Sequence, residues 1–236
     1  MSGARSEEAF REPRALAVVL STEEGEAAVR LARRALEVAL ASGSGPESVK
    51  SVARGPLPPI FDERRGAFVT LKRYPDGLLR GCIGYPLPIL PLRDAVARAA
   101  VAAAVEDYRF RPVRAPELLR LTLEVSVLTV PVLIPFTTPE AMTHAVRVGR
   151  DGLIVDGFGS SGILLPQVAP EQGWSTEELL DGTCEKAGLP ARSWQDPRVR
   201  VRRFEAEIFH EVAPGGDVVR ADPELPTVDE PPARKR

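Results

Sequence analysis

Residues 66–86 run GAFVTLKRYPDGLLRGCIGYP, and their reading decides the fold. From Gly66 to Lys72 polar and apolar side chains alternate, the pattern of a half-buried strand. Tyr74-Pro75-Asp76-Gly77 is a turn, because proline presets one φ and glycine accepts a left-handed one. The chain then returns through residues 78–83 as the second strand of a hairpin. In that return Cys82 has glycines one residue before and two after, and Arg80 two before. Alternation puts Arg80 and Cys82 on one face of the strand and Gly81 and Ile83 on the other, so that the first two side chains could meet. Pro91 suits the first turn of a helix over residues 92–107, where Ala95, Ala99, Ala102 and Ala103 imply a closely packed neighbour. Residues 121–130 (LTLEVSVLTV) form a further strand. Leu121, Leu123, Val125 and Val127 share one face, and Thr122, Glu124, Ser126 and Leu128 the other.

Outward from this hairpin, Ser21 and Glu24 form a capping box that opens a helix running to about Leu40. Its apolar stripe is Ala28, Ala32, Ala35, Leu36, Ala39 and Leu40. Residues 14–20 hold a short apolar run, and residues 46–65 read as an exposed, proline-rich connection. The plan then recurs. A strand ends at Val155, a glycine-rich turn covers residues 157–162, and residues 163–168 return. A capped helix begins at Ser175, and residues 199–211 form one long alternating strand. Hairpin, helix and strand thus occur twice, which predicts an α+β fold with a largely antiparallel sheet. The expected domain spans residues 14–212, in two subdomains (14–135 and 136–212) that can interleave, with flexible termini at 1–13 and 213–236.

Composition excludes several classes. The net charge of -2 gives no general attraction to nucleic acid or acidic membranes. No apolar run approaches the ~20 residues of a membrane span. The N-terminus has no apolar signal core, so a cytoplasmic chain is expected. Two cysteines make no disulfide framework. Asparagine is absent, a habit of thermophile proteins that a GC-rich genome explains equally well.

Leu79-Arg80-Gly81-Cys82-Ile83-Gly84 resembles the signature of the AMMECR-one family. The likeness extends to Asp107-x-Arg109-Phe110-x-Pro112-Val113, to Leu123-Glu124-Val125-Ser126-Val127-Leu128 and to Gly149-x-Asp151-Gly152-Leu153. It continues through Leu165-Pro166-Gln167-Val168-Ala169-x-Glu171-x-x-Trp174 and Ala187-Gly188-Leu189-Pro190, and archaeal members are the most similar. The resemblance implies two related β-α-β units sharing a barrel-like sheet. It names no cofactor and no settled activity. It implies a pathway link to Memo-type and radical-SAM-type proteins.

Cys82 is the sharpest chemical candidate. A thiolate needs cationic neighbours, which Arg80 could supply, and Gly81 and Gly84 would let backbone N–H groups approach a ligand. The competing reading is a small buried thiol between glycines that relieve crowding. His144 and His210 are the only histidines, and neither spacing brings it to Cys82 as a base. Asp107, Glu124 and Glu171 are the acid–base candidates, with Arg109 and Gln167 as binding neighbours. Cys82, Cys184 and the histidines lack metal-ligand spacing. Cys184 reads as core. Arg198, Arg200 and Arg202 make a basic stripe, explained by nucleic acid or by a charged edge strand. Three functions follow: an enzyme working on a small molecule or protein group with the thiol, a binding module using the same cleft, or, as a third option, a nucleic-acid binder.

Overall fold

The structure is a computed structural model and describes residues 20–43 and 45–221. The fold opens with α1 (Thr22–Ser42). Then come β1 (Ala67–Arg73), β2 (Leu79–Tyr85), α2 (Leu92–Val105), β3 (Leu121–Leu128), β4 (Val132–Ile134) and α3 (Pro139–Ala145). β5 (Gly152–Gly157), β6 (Ser160–Leu164), α4 (Val168–Gln172) and α5 (Thr176–Lys186) follow, before β7 (Arg200–Phe204), β8 (Ala206–Glu211) and β9 (Val218–Arg220). The class is α+β and the pairing is antiparallel throughout the named strands. The strands divide between two sheets, ordered β2-β1-β3-β8-β9 and β4-β7-β5-β6, where one barrel-like sheet was expected.

α1 forms where its capping box predicts. Ser21 Oγ accepts from the Glu24 N–H at 3.1 Å, Glu24 returns the bond to the Ser21 N–H at 2.8 Å, and Gly43 ends the helix in the left-handed region. Its apolar stripe and almost the whole surface of α2 are buried, covered by the inner face of the five-stranded sheet (Val69, Leu71, Leu123 and Val125), by each other and by residues 46–54. Alanine dominates both helices, so the helices can approach the strands closely. A Cβ on Gly25 would overlap the Phe209 ring of β8. α1 is also tied to the sheet by charge: Arg33 forms a two-nitrogen ion pair with the buried Glu211 and donates to Leu121 O at 2.8 Å. Glu211 in turn accepts the Leu123 N–H at 3.0 Å. The second core, around Leu153, Val155, Leu180, Cys184 and Trp194, lies between the four-stranded sheet and α5.

The two units correspond over three strands each, β2-β1-β3 and β6-β5-β7. β1 lies between β2 and β3 as β5 lies between β6 and β7. Leu71 faces Gly81 and Leu123, and Val155 faces Gly162 and Val201. Both glycines sit where the return strand touches the end of a following helix, α2 for Gly81 and α5 for Gly162. A Cβ on Gly81 would overlap Ala103 O, and one on Gly162 would overlap the Ala187 backbone. By the same match, Thr70 with its neighbours Cys82 and Glu124 corresponds to Ile154 with Ile163 and Arg202. The outer faces of the two sheets meet at one end, where Leu128, Ile154 and Phe204 pack together with Phe68, Ile163 and Leu165 against them.

Several local expectations change. The strand expected over 199–211 breaks at Glu205, and β7 and β8 belong to different sheets. The break follows a change of phase in the pattern: Val199 and Val201 are apolar at odd positions, and Phe204, Ala206 and Ile208 at even ones, with Arg202 and Arg203 between. Residues 46–54 and 59–62 are short helical turns, and they bury Val49, Ala53 and Phe61. Pro59, at the start of the second, served only as a loop signal in the sequence. α3, α4 and β4 occupy segments read as connections. Residues 213–221 are not a loose tail: they turn and add β9 to the first sheet. Residues 1–13, the apolar run up to residue 19, and residues 222–236 lie outside the described residues.

Candidate functional site

The outer face of the five-stranded sheet carries a row of polar residues set by strand register. Cys82 on β2 faces Thr70 on β1, Thr70 faces Glu124 on β3, and Glu124 faces His210 on β8. With strands ~4.8 Å apart, Cys82 and Glu124 are ~10 Å apart at Cα, and Cys82 and His210 ~14 Å. The register leaves two strands, β1 and β3, between Cys82 and His210. His144 lies exposed on α3, its Nδ1 2.6 Å from Glu140 O. His210 is half-buried beside Glu124, and its Nδ1 has no hydrogen-bond partner among the described residues.

Cys82 is half-buried. The Thr70 hydroxyl donates to its sulfur at 3.3 Å. Burial pushes the thiol pKa up, more than the Thr70 bond and the Arg109 charge pull it down, and Glu124 and Asp107 add to the rise. The resting group is therefore a protonated thiol. The cation facing it is Arg109. Arg80, the expected neighbour, sits at a β-bulge opposite Lys72, where the register shifts. It turns over the Phe110 ring at 5.9 Å and pairs with Glu117 at 3.1 Å.

Asp107 corrects the acid–base reading. Its carboxylate accepts the Cys82 N–H at 2.9 Å and two N–H groups of the Arg109 side chain at 3.0 and 2.8 Å. The Arg109 bonds hold its pKa down to about 2, so at neutral pH it is a fixed anion and neither acid nor useful base. Its task is to occupy a backbone donor on the outer edge of β2, which is an edge strand. Gly81 and Gly84 also differ from expectation. Gly81 is buried against α2, on the face away from the thiol, and a Cβ on Gly84 would overlap the Phe68 ring and Ala67 O. Both glycines serve packing.

Glu124 is buried and bonds Lys72 Nζ at 2.9 Å. Gln167 and Glu171 belong to the second unit, at the start of α4 and within it. Glu171 is exposed, and Gln167 carries a buried Oε1 without a hydrogen-bond partner among the described residues. Cys82, Asp107 and Arg109 therefore form one bonded cluster with Glu124 two strands away, while Arg80 stands beside it. Thr70, Lys72 and Phe110 were missed. The alternation of β1 already put Thr70 and Lys72 on one face, but their facing partners depend on register, which a single strand does not disclose.

Among the described residues no group of three or more His, Cys, Asp or Glu side chains could hold a metal. Residues 157–160 are the β5–β6 turn, with Phe158 and Gly159 at positive φ. The basic stripe is largely neutralised: Arg198 pairs with Asp196 and Arg202 with Asp156. No helix among the described residues is long and apolar enough to cross a membrane.

Fold and site together define a two-sheet α+β protein with a thiol–carboxylate row on the face where its two units meet. The chain belongs to the AMMECR1 family, whose model matches residues 29–209. A protein of Thermococcus gammatolerans is 52% identical over 204 residues, covering 85% of this chain and 97% of its own length. One from Methanocaldococcus jannaschii is 46% identical over 201 residues, covering 85% and 96%. The crystal structure of an uncharacterized protein from Pyrococcus horikoshii matches with a TM-score of 0.73 at 50% identity, over 84% of this chain and 97% of that one. These relatives are archaeal, and their names state no activity.

Proposed function

We propose that the chain is a cytoplasmic enzyme that acts on a small molecule or a protein group at the outer face of the five-stranded sheet. The Cys82 thiol is the reacting group and Glu124 accepts its proton. The observation that supports this is the register: two titratable groups, both sheltered from water, flank the short Thr70 side chain on one face. A substrate lying over Thr70 would touch both. As the sulfur adds to a substrate carbonyl carbon, the C=O π pair moves to the oxygen and the S–H proton passes to Glu124 through a polar substrate group spanning Thr70, while Lys72 balances the carboxylate as long as it is ionised. Arg109 favours the thiolate, and Asp107 fixes the strand that carries it. Gln167 would meet the substrate from the second unit, since nearby Leu165 packs against the same outer face. Two free cysteines accord with a reducing compartment.

The test uses a Cys184→Ser protein, which leaves one thiol. Its rate of alkylation by iodoacetamide across neutral and alkaline pH should titrate above the ~8.5 of a free thiol. Glu124→Gln should shift that titration down and Thr70→Val should shift it up. The proposal is sunk if the native thiol is never alkylated, or if Glu124→Gln leaves the profile unmoved. The face would then serve as a binding module in which no bond breaks.

A further inference from the structure

Beside this site is a surface that the thiol chemistry does not use. After α2 the chain runs through Tyr108, Arg109, Phe110 and Arg111, and residues 114–120 make a short helical turn into β3. Arg80 joins the two segments, since its guanidinium lies over Phe110 and pairs with Glu117. Tyr108 is 94% exposed and Leu119 81% exposed. Arg111, Arg114 and Arg120 are exposed, and none of their guanidinium groups pairs with a carboxylate among the described residues. The described arginines otherwise often carry a carboxylate partner, as in Arg73–Asp76, Arg150–Glu205 and Arg220–Glu207. Three cations with no carboxylate partner among the described residues and two large exposed side chains thus lie on the two segments that Arg80 joins, next to the β2 edge that carries Cys82.

We propose that this surface, formed by Tyr108, Arg111, Arg114, Leu119 and Arg120, docks an acidic segment of a partner protein. Charge complementarity selects the partner: guanidinium groups take carboxylates in paired N–H···O bonds, and Tyr108 and Leu119 take an apolar side chain between the acidic ones. Leu119 favours a peptide over a nucleic acid, whose backbone offers it no apolar counterpart. The surface borders the strand of Cys82, so under the function proposed above the docked protein would present a group to the thiol. Docking itself needs no thiol.

The experiment is fluorescence anisotropy with a labelled peptide of glutamates around a central leucine, at about 50 mM salt. A lysine peptide of the same length and short single strands of DNA and RNA serve as the other probes. The glutamate peptide is expected to bind, with an affinity that falls as salt rises. The triple variant Arg111→Glu/Arg114→Glu/Arg120→Glu should weaken it by about tenfold or more, and Tyr108→Ala by a few-fold. Arg200→Glu, which removes an exposed arginine of β7 in the second unit, should leave it unchanged. Cys82→Ser should bind normally, so failure of the thiol chemistry and failure of docking are told apart. The milder triple alanine variant covers any loss of folding. The proposal is overturned if the glutamate peptide does not bind, if Arg200→Glu weakens binding as much as the triple variant, or if nucleic acid binds more tightly through the same arginines.

Discussion

Replacing Asp107 by asparagine tests what holds Cys82 in place. The carboxylate accepts the Cys82 N–H at 2.9 Å, the Arg109 N–H at 3.2 Å and two guanidinium N–H groups at 3.0 and 2.8 Å. These bonds, those from the Arg109 side chain above all, lower its pKa from the ordinary 3.8 to about 2. Close to two pH units at about 1.36 kcal/mol each correspond to roughly 2.5 kcal/mol of folded-state stability. The Arg109 side chain is 43% exposed, so water and salt screen part of that, and about 1–2 kcal/mol is expected. Because the folded pKa lies below the unfolded one, the contribution is complete above pH 3.8 and is lost as pH falls through about 2. Asparagine keeps an acceptor for the Cys82 N–H but carries no charge. Urea unfolding at neutral pH should therefore show Asp107→Asn about 1–2 kcal/mol less stable than the parent. Urea is the suitable denaturant, since guanidinium would screen the pair. The gap should close as pH is lowered toward 2. A gap of the same size at both ends of that range would mean that shape, and not charge, sets the loss, and would refute the electrostatic account.

Further outcomes follow from the same geometry. Gly81→Ala and Gly162→Ala should each destabilise by about 1–3 kcal/mol, because each new Cβ overlaps helix backbone that cannot move aside. In thermal melts of all three variants, Gly45→Ala, with open space around it, should be nearly neutral. Glu211→Gln should cost about 3–5 kcal/mol by leaving Arg33 and the Leu123 N–H without their buried anion, and hydrogen exchange should quicken in β3 and α1 together. Ser21→Ala and Ser175→Ala should each lose about 1 kcal/mol, since both serines complete capping boxes.

The elements defined by local signals were legible in the sequence. Both capping boxes, the hairpin over residues 67–85 and the alanine-packed α2 follow from residue types at short range. Much of the site was not. Arg80 and Cys82 are two residues apart and should share a face, but a bulge turns Arg80 away. The cation that faces the sulfur instead comes from 27 positions further on, through a loop whose path no periodicity encodes. Asp107 stands out as a carboxylate near the cysteine, but its partner Arg109 removes it from proton transfer, and only the bonds show that. The role of Gly81 was ambiguous because a glycine that lets a ligand in and one that lets a helix in look alike in a sequence. Its counterpart Gly162 resolves the question, since it does the same for the helix of the other unit.

The break at Glu205 sets an order of assembly. β8 and β9 are made last, yet they complete the sheet begun by β1, β2 and β3, and Glu211 arrives with them to meet Arg33. Until the ribosome has delivered the whole second unit, the first has β3 as an open edge, an invitation to mispairing. A protein cut near residue 135 would yield an amino-terminal half with that edge bare and a carboxy-terminal half with an orphan hairpin. The two units look like separable modules, but they are laced through each other and must mature as one.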